Sequence, residues 1–195
     1  PNSKKIVLIV PPTGGVNFID KSYAANLCKS NISAVIIQNW TGDNEYNLEL
    51  EIHKRFYNRA QRAIELTKEK YSHLQLGILG TSVGGIHASI AFARFKTIKT
   101  GLFIVSGGNI ASIIANTDQE ILLDAKKKRF KRYKFNSNKE YKDALSRILP
   151  FEPLKMEFDR SRKKIGMIIS TNDQIVPTEN QQELQEKWKP IILST

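Results

Sequence analysis

A glycine-rich turn near the middle of the chain constrains the fold more than any other feature of the sequence. The short apolar run Leu76–Leu79 is followed at once by GTSVGG at Gly80–Gly85, and the helical stretch Ile86–Phe95 comes next. A serine in so short a turn brings strand and helix almost into contact, so the residues two before and two after it must lack bulky side chains. The pattern therefore predicts a buried strand that turns at Ser82 directly into a helix.

Short apolar runs recur along the chain and alternate with stretches long enough to form crossover helices. Each run has three to five residues, is rich in β-branched side chains and is continuous rather than alternating, which is typical of parallel strands buried on both faces. The alternation predicts a doubly wound α/β fold with a mainly parallel sheet of about six strands. The six runs are Ile6–Val10, Ala34–Gln38, Leu76–Leu79, Leu102–Val105, Ile165–Ile169 and Ile191–Leu193.

The alternation is interrupted between Asn109 and Lys164. About 55 residues is too long for a loop without secondary structure, and the segment is helical in character, so we expect a helical insertion at about 110–160. The chain has no repeat or linker that would indicate a second unit, and residues 1–195 are predicted to form one domain. The helical stretches of the insertion are Ile110–Asn116, Glu120–Arg132 and Lys139–Leu149.

Together these features resemble the α/β-hydrolase superfamily along nearly the whole chain. In that family, Gly-x-Ser-x-Gly between a strand and a helix is the nucleophile elbow. The resemblance implies that Ser82 is the nucleophile, that Gly80 and Gly84 are the small residues of the elbow, and that the Val83 N–H points at the reacting carbonyl. The family's first two strands have no counterpart in this chain, so the implied sheet is a reduced form of the family's.

The first predicted strand is followed by Pro11-Pro12-Thr13-Gly14-Gly15, which is similar to the family's oxyanion loop. Relatives often have His-Gly or His-Gly-Gly-Gly at this place. The resemblance implies that an N–H of Thr13, Gly14 or Gly15 joins the Val83 N–H in an oxyanion hole. The alternative is a simple Gly-Gly turn ahead of a helix.

The acid of the family's triad follows the nucleophile in the chain, and Asp173 is the candidate. It comes just after the fifth apolar run and is followed by the Val176-Pro177 pair and a helical stretch. Its implied role is to accept the imidazole N–H and to stabilise the imidazolium. The alternative is a carboxylate that only supports the turn. Asn109 stands where some relatives have the acid one strand earlier, but it cannot ionise.

The base of the triad has no candidate in the sequence. The family's histidine follows the last strand, and none of the three histidines, His53, His73 and His87, comes after Asp173. Two explanations stay open. In the first, which we favour, the C-terminal end of the fold is missing here and the histidine lies beyond Thr195. In the second, the protein is a degenerate hydrolase scaffold that binds without catalysis and uses its basic insertion to hold an acidic partner.

By the resemblance, the substrate is a carboxylic ester or thioester, the insertion is a cap over the site, and neither a metal nor an organic cofactor is required. The net charge of +11 is concentrated in the insertion, where Lys126–Arg132 includes six cations. Such a run could contact an anionic surface or an acidic partner, although a solvated helix face is the simpler interpretation. A role in nucleic-acid binding is disfavoured because no nucleic-acid-binding motif accompanies the run.

The remaining features exclude some classes of protein. The one cysteine, Cys28, cannot form an internal disulfide, and its helical, apolar surroundings predict a buried side chain. No run approaches the roughly 18 apolar residues of a membrane-spanning helix, so a transmembrane protein is not expected. Because the chain starts at Pro1, which is not an initiator residue, the sequence leaves open whether the protein is cytoplasmic or exported with its signal removed.

Overall fold

A computed structural model describes residues 3–12, 14–38, 48–117, 120–159, 163–173 and 175–194. Within them, six parallel strands form one sheet in the order β2-β1-β3-β4-β5-β6, which confirms the predicted fold class. The strands are β1 Lys5–Val10, β2 Ser33–Ile36, β3 Gln75–Thr81, β4 Ile98–Ile104, β5 Lys164–Ile168 and β6 Ile192–Ser194.

Helices cover both faces of the sheet. Helix α1 packs on one face, against Ile9, Leu79 and Ile104. Helices α2, α3 and α7 pack on the opposite face, where Phe92 and Trp188 lie in the largest core cluster. The helices are α1 Phe18–Lys29, α2 Glu51–Lys70, α3 Val83–Arg94, α4 Ile110–Asn116, α5 Glu120–Tyr133, α6 Asn138–Ile148 and α7 Thr178–Trp188, with a 3-10 turn at Pro153–Lys155.

The central strands β1 and β3 are buried on both faces, as their continuous apolar sequences require. Leu8 and Ile9 are adjacent in β1 and point to opposite faces, yet both are fully buried. Their strand pairs with β3 over its whole length, from Lys5 opposite Gln75 to Val10 opposite Gly80. This pairing places the residues that follow β1 and β3 side by side at the carboxyl edge of the sheet.

The three helices predicted for the interrupted segment are present as α4, α5 and α6, between β4 and β5. They share a small core with Leu50, in which the Phe130 ring contacts those of Phe135 and Tyr141 with centroids 5.8 and 5.6 Å apart. Trp188 of α7 donates its indole N–H to the Pro153 carbonyl at 3.2 Å, which ties the end of this segment to the main helix layer.

The sequence predicted that the Cys28 side chain is buried and that the chain has no membrane-spanning helix. Cys28 was expected to be buried, and this is wrong: its side chain is exposed, because α1 turns that part of its surface away from the sheet. Within the described ranges, none of the helices has both the length and the hydropathy that crossing a bilayer requires.

Candidate active site

Ser82 occupies a single-residue turn between β3, which ends at Thr81, and α3, which begins at Val83. Its backbone has φ +54° and ψ −127°, a combination that side-chain-bearing residues rarely adopt. The Ser82 N–H donates to the Ile104 carbonyl at 2.8 Å, and the Ser82 carbonyl accepts the Ile86 N–H at 3.1 Å. Such strained conformations persist only where the surrounding structure holds them, and they cluster at functional sites.

The glycines around Ser82 are required by close backbone contacts. A β-carbon on Gly80 would lie 2.3 Å from the Gly84 carbonyl oxygen. A β-carbon on Gly84 would lie 2.1 Å from the Pro11 carbonyl oxygen and 2.2 Å from that of Val10. Neither position can therefore hold a side chain without a shift of the backbone. The close approach of Gly84 to the Val10 and Pro11 carbonyls also brings the first turn of α3 against the end of β1.

The loop after β1 begins beside this turn. Gly14 and Gly15 have φ of +100° and +88°, so both positions favour glycine. The Gly15 N–H donates to the Pro12 carbonyl at 3.1 Å and thereby closes the loop on itself. Val83 is the first residue of α3, where an N–H has no acceptor within its own helix. Thr13, the third predicted donor of this loop, lies outside the described residues.

Asp173 lies in the loop that follows β5, and its side chain shapes that loop. Its Oδ1 accepts the backbone N–H groups of Ile175 at 2.9 Å and Val176 at 2.7 Å. The carboxylate therefore does support a turn, as the simpler interpretation expected. Because both bonds use the same oxygen, this structural role leaves Oδ2 as the atom that could receive an imidazole N–H.

Ser82 and Asp173 follow strands that have β4 between them, at the same edge of the sheet. The ladder continues past the strand ends, because the Val105 N–H donates to the Ile168 carbonyl at 2.8 Å. Adjacent strands lie about 4.8 Å apart, which separates the ends of β3 and β5 by roughly 10 Å. The fold thus brings together two residues that are far apart in the sequence.

The residues after β4 lie between the Ser82 turn and the loop of Asp173, and the sequence analysis considered only Asn109 among them. Val105 and Asn109 both have positive φ, +50° and +56°, and for the β-branched Val105 this is a strained conformation. The Gly108 N–H and carbonyl both bond to Asn180 of α7, at 2.9 and 3.0 Å. In the sequence, this support could have been indicated by one feature. It is the polar pair Asn180-Gln181, which lies in the first turns of the helix after Asp173.

Solved structures share this fold at low sequence identity. An esterase from Pyrococcus furiosus aligns with a TM-score of 0.62 and 16% identity, over 99% of this chain and 72% of its own. An acetyl xylan esterase from Paenibacillus sp. R4 aligns with a TM-score of 0.67 and 16% identity, over 100% of this chain and 67% of its own. A putative dienelactone hydrolase from Klebsiella pneumoniae aligns with a TM-score of 0.62 and 13% identity, over 100% and 74%.

The chain has the α/β-hydrolase fold. No protein-family model matches the sequence, and no curated protein matches it at significant similarity. The likeness is therefore one of structure, and it agrees with the resemblance that the sequence motifs indicated.

The three histidines of this α/β-hydrolase fold lie on α3, on α2 and just before β3. His87 is fully buried on α3, with its ring centroid 4.4 Å from that of Tyr57, and burial lowers its pKa to about 3. His53 contacts Arg129, and its pKa is also lowered to about 3, by burial first and by the Arg129 charge second. His73 is exposed just before β3, at the amino edge of the sheet.

Most cations of the basic run of α5 have partners within the protein, and one of them, Arg129, is buried. Arg129 is only 2% exposed; its Nη1 lies 2.8 Å from His53 Nε2 and donates to the Tyr141 hydroxyl at 2.8 Å. Lys126 donates to the Ala115 carbonyl at 2.6 Å. Lys128 pairs with Asp124 and Arg132 with Glu49. Of the six cations in Lys126–Arg132, these four have intramolecular partners.

A cavity of about 390 Å³ opens between the start of α4 and the segment after α6. Asn109, Leu149, Phe151 and Met156 are among its lining residues, and Ser82 is not. The Glu152 carboxylate, also in the lining, accepts the Asn109 N–H at 2.8 Å and the Ile110 N–H at 2.9 Å. In the part of the chain that the structure describes, no group of three or more His, Cys, Asp and Glu side chains is arranged to hold a metal.

Proposed function

We propose that the protein is a serine hydrolase that cleaves a carboxylic ester or thioester through an acyl-enzyme on Ser82. The observation that carries this proposal is the backbone of Ser82. It is held at φ +54° by a turn whose flanking glycines have no room for a β-carbon. A turn that stores strain to present one serine at the carboxyl edge of a parallel sheet is expected when that hydroxyl does chemistry.

In the proposed reaction, Ser82 Oγ attacks the substrate carbonyl carbon while a histidine takes the hydroxyl proton. The carbonyl oxygen becomes an oxyanion, which accepts hydrogen bonds from the Val83 N–H and from the loop of Thr13 and Gly14. We favour these loop donors over Gly15, whose N–H already donates to Pro12. Each such donor contributes about 3–4 kcal/mol in comparable sites.

The tetrahedral intermediate then expels the alcohol or thiol, which leaves with the proton from the histidine. Water, deprotonated by the same histidine, attacks the acyl-enzyme and releases the carboxylate and free Ser82. Asp173 is proposed to accept the histidine's other N–H and to stabilise the imidazolium. Among the described residues its two hydrogen bonds both use Oδ1, and this together with its position at the edge that carries Ser82 supports the role.

We propose that the histidine follows Thr195 in the natural polypeptide. Strand β6 pairs in parallel with β5, so its last residue, Ser194, lies at the edge where Ser82 and Asp173 lie. His87, the histidine nearest to Ser82 in sequence, is enclosed by aromatic rings and held neutral by its lowered pKa. Its burial makes it a poor acceptor for a proton in a reaction at the surface.

The proposed substrate class is taken from proteins that share this fold. The insertion is proposed to act as a cap. The solved structures that share the fold include an esterase and an acetyl xylan esterase. Helices α4–α6 follow β4 directly, and the cavity at the start of α4 has an apolar wall that would suit the uncharged part of an ester.

Fluorophosphonate labelling tests the proposal. The natural polypeptide is treated with a fluorophosphonate and its intact mass is measured, alongside Ser82→Ala and, as a control, Ser72→Ala at an exposed serine. We expect one adduct in the wild type and the control and none in Ser82→Ala. Absence of an adduct on folded wild-type protein would reject the hydrolase and favour the alternative of a non-catalytic binding scaffold.

A further inference from the structure

We propose that Gln181 is a positioning residue, which holds the Asp173 loop (Ser170–Asp173 and Ile175–Pro177) in the shape that presents the carboxylate. Its effect on catalysis rests on the proposed function, whereas its effect on the loop does not. Gln181 is on α7 and is fully buried, although it is polar. Burying a side-chain amide costs free energy unless its hydrogen bonds are satisfied. The hydrogen-bond partners of Gln181 therefore indicate its structural role.

The Gln181 amide bonds to both ends of the Asp173 loop. Its Oε1 accepts the Ser170 N–H at 3.0 Å. Its Nε2 donates to the Ser170 carbonyl at 3.2 Å and to the Val176 carbonyl at 2.7 Å. One side chain thus joins the residue that leaves β5 to the residue that leads into α7, and it closes the base of the loop.

The Asp173 side chain also stabilises the loop, through hydrogen bonds to its backbone. Its Oδ1 bonds to the N–H groups of Ile175 and Val176, so the orientation of the carboxylate depends on where those two amides are held. Gln181 fixes Val176 from the other side, through its carbonyl. Displacement of Val176 would therefore turn the carboxylate as well as open the loop.

The neighbouring residue of α7 extends the same support to the loop after β4. Asn180 accepts the Gly108 N–H at its backbone carbonyl and donates its side-chain Nδ2 to the Gly108 carbonyl. A β-carbon on Gly107 would lie 2.9 Å from Val176 Cγ1, so the two loops are in contact. The first turns of α7 therefore hold both loops at this edge in one rigid unit.

Only an amide at position 181 can make these bonds, because one oxygen must accept while one nitrogen donates twice. Glutamate has the same shape but cannot donate, and when ionised it would face the Ser170 and Val176 carbonyls. Gln181→Glu should therefore loosen the loop without leaving a cavity. The exposed neighbour Gln182 offers a matched control, since Gln182→Glu adds the same charge to the same helix.

The test measures hydrogen exchange of the peptide that contains Ile175 and Val176, together with the rate of fluorophosphonate labelling, in the natural polypeptide. In Gln181→Glu we expect exchange of that peptide to be about tenfold faster or more, and labelling of Ser82 to slow by a similar factor. Gln182→Glu should stay within about twofold of the wild type in both measurements. A milder variant, Thr178→Val, removes one bond to the Ser170 carbonyl and should give the same changes at smaller size if Gln181→Glu fails to fold.

The two proposals fail in different ways. Unchanged exchange of the Asp173 loop in Gln181→Glu would overturn the role of Gln181, whatever happens to labelling. Faster exchange with an unchanged labelling rate would also overturn it as a positioning residue for the reaction. A wild-type protein that is not labelled at all would reject the proposed function itself.

Discussion

Gly84 and Pro11 are in direct backbone contact, and this contact joins the Ser82 turn to the loop after β1. A β-carbon on Gly84 would lie 2.1 Å from the Pro11 carbonyl oxygen, closer than side-chain carbons approach in folded proteins. The two residues belong to elements that are more than sixty positions apart in the chain, yet they set the spacing between the proposed nucleophile and its proposed oxyanion donors.

Gly84→Ala is expected to be among the most destabilising single-methyl additions in this protein. The added carbon meets two backbone carbonyls that cannot rotate away, so the free energy of unfolding should fall by about 3 kcal/mol or more. Gly14→Ala is the matched control, since its β-carbon would meet nothing within 4 Å and only its φ of +100° is unfavourable. It should cost about 1–2 kcal/mol. Urea unfolding measures both, and equal losses would contradict the clash.

Asp173→Asn should separate the structural role of this residue from its proposed catalytic role. Asparagine keeps an oxygen that can accept the Ile175 and Val176 N–H groups, so the unfolding temperature should change little. It cannot stabilise an imidazolium, and kcat for an ester should fall about 10³–10⁴-fold, as in comparable triads. Asp143→Asn, at an exposed carboxylate, serves as the control. Hydrolysis within tenfold of the wild type would remove Asp173 from the mechanism.

Acid should destabilise the protein through His87 and His53. Burial lowers both pKa values to about 3 from 6.5, so below pH 6.5 the unfolded chain binds protons that the native state does not. Stability is therefore full above pH 6.5 and falls as the pH drops toward 3, by about 1.4 kcal/mol per pH unit for each histidine.

Replacing one of these histidines should reduce this pH dependence. We expect His87→Leu to show a shallower decrease in unfolding free energy between pH 7 and pH 4.5 than the wild type. His73→Asn, at an exposed position, should leave the slope as it is. Chemical denaturation at several pH values checks this, and a wild-type slope in His87→Leu would mean that His87 binds its proton in the native state.

Arg129 is expected to matter for stability where its neighbours on α5 do not. It is buried and bonds to Tyr141 of α6, while Lys127 of the same helix is exposed. Arg129→Ala should lower the unfolding free energy by about 3 kcal/mol, because it leaves buried polar groups without their donor. Lys127→Ala should stay within about 0.5 kcal/mol of the wild type. Thermal unfolding of the two variants tests this. Similar losses of unfolding free energy would mean that Arg129 contributes no more to stability than an exposed cation does.

The sequence by itself determined the elements of this fold and the identity of its central turn. Buried parallel strands require continuous apolar runs, and a strand that turns into a helix at one residue requires glycine beside it, so Gly80 and Gly84 could be identified from local pattern alone. The same holds for the helices of the insertion, whose lengths and boundaries follow from residues close together in the chain.

Only the tertiary structure decided which polar side chains are buried and which loops touch. Nothing local distinguishes Arg129 from Lys127, or Gln181 from Gln182, because their burial depends on elements that arrive from elsewhere in the chain. For the same reason the sequence could not show that the Gly15 N–H is used within its own loop, that Cys28 faces outward, or that Asn180 and Gln181 hold the loops at the edge that carries Ser82. Local patterns specify secondary structure, whereas hydrogen-bond partners are set by the packing of distant segments.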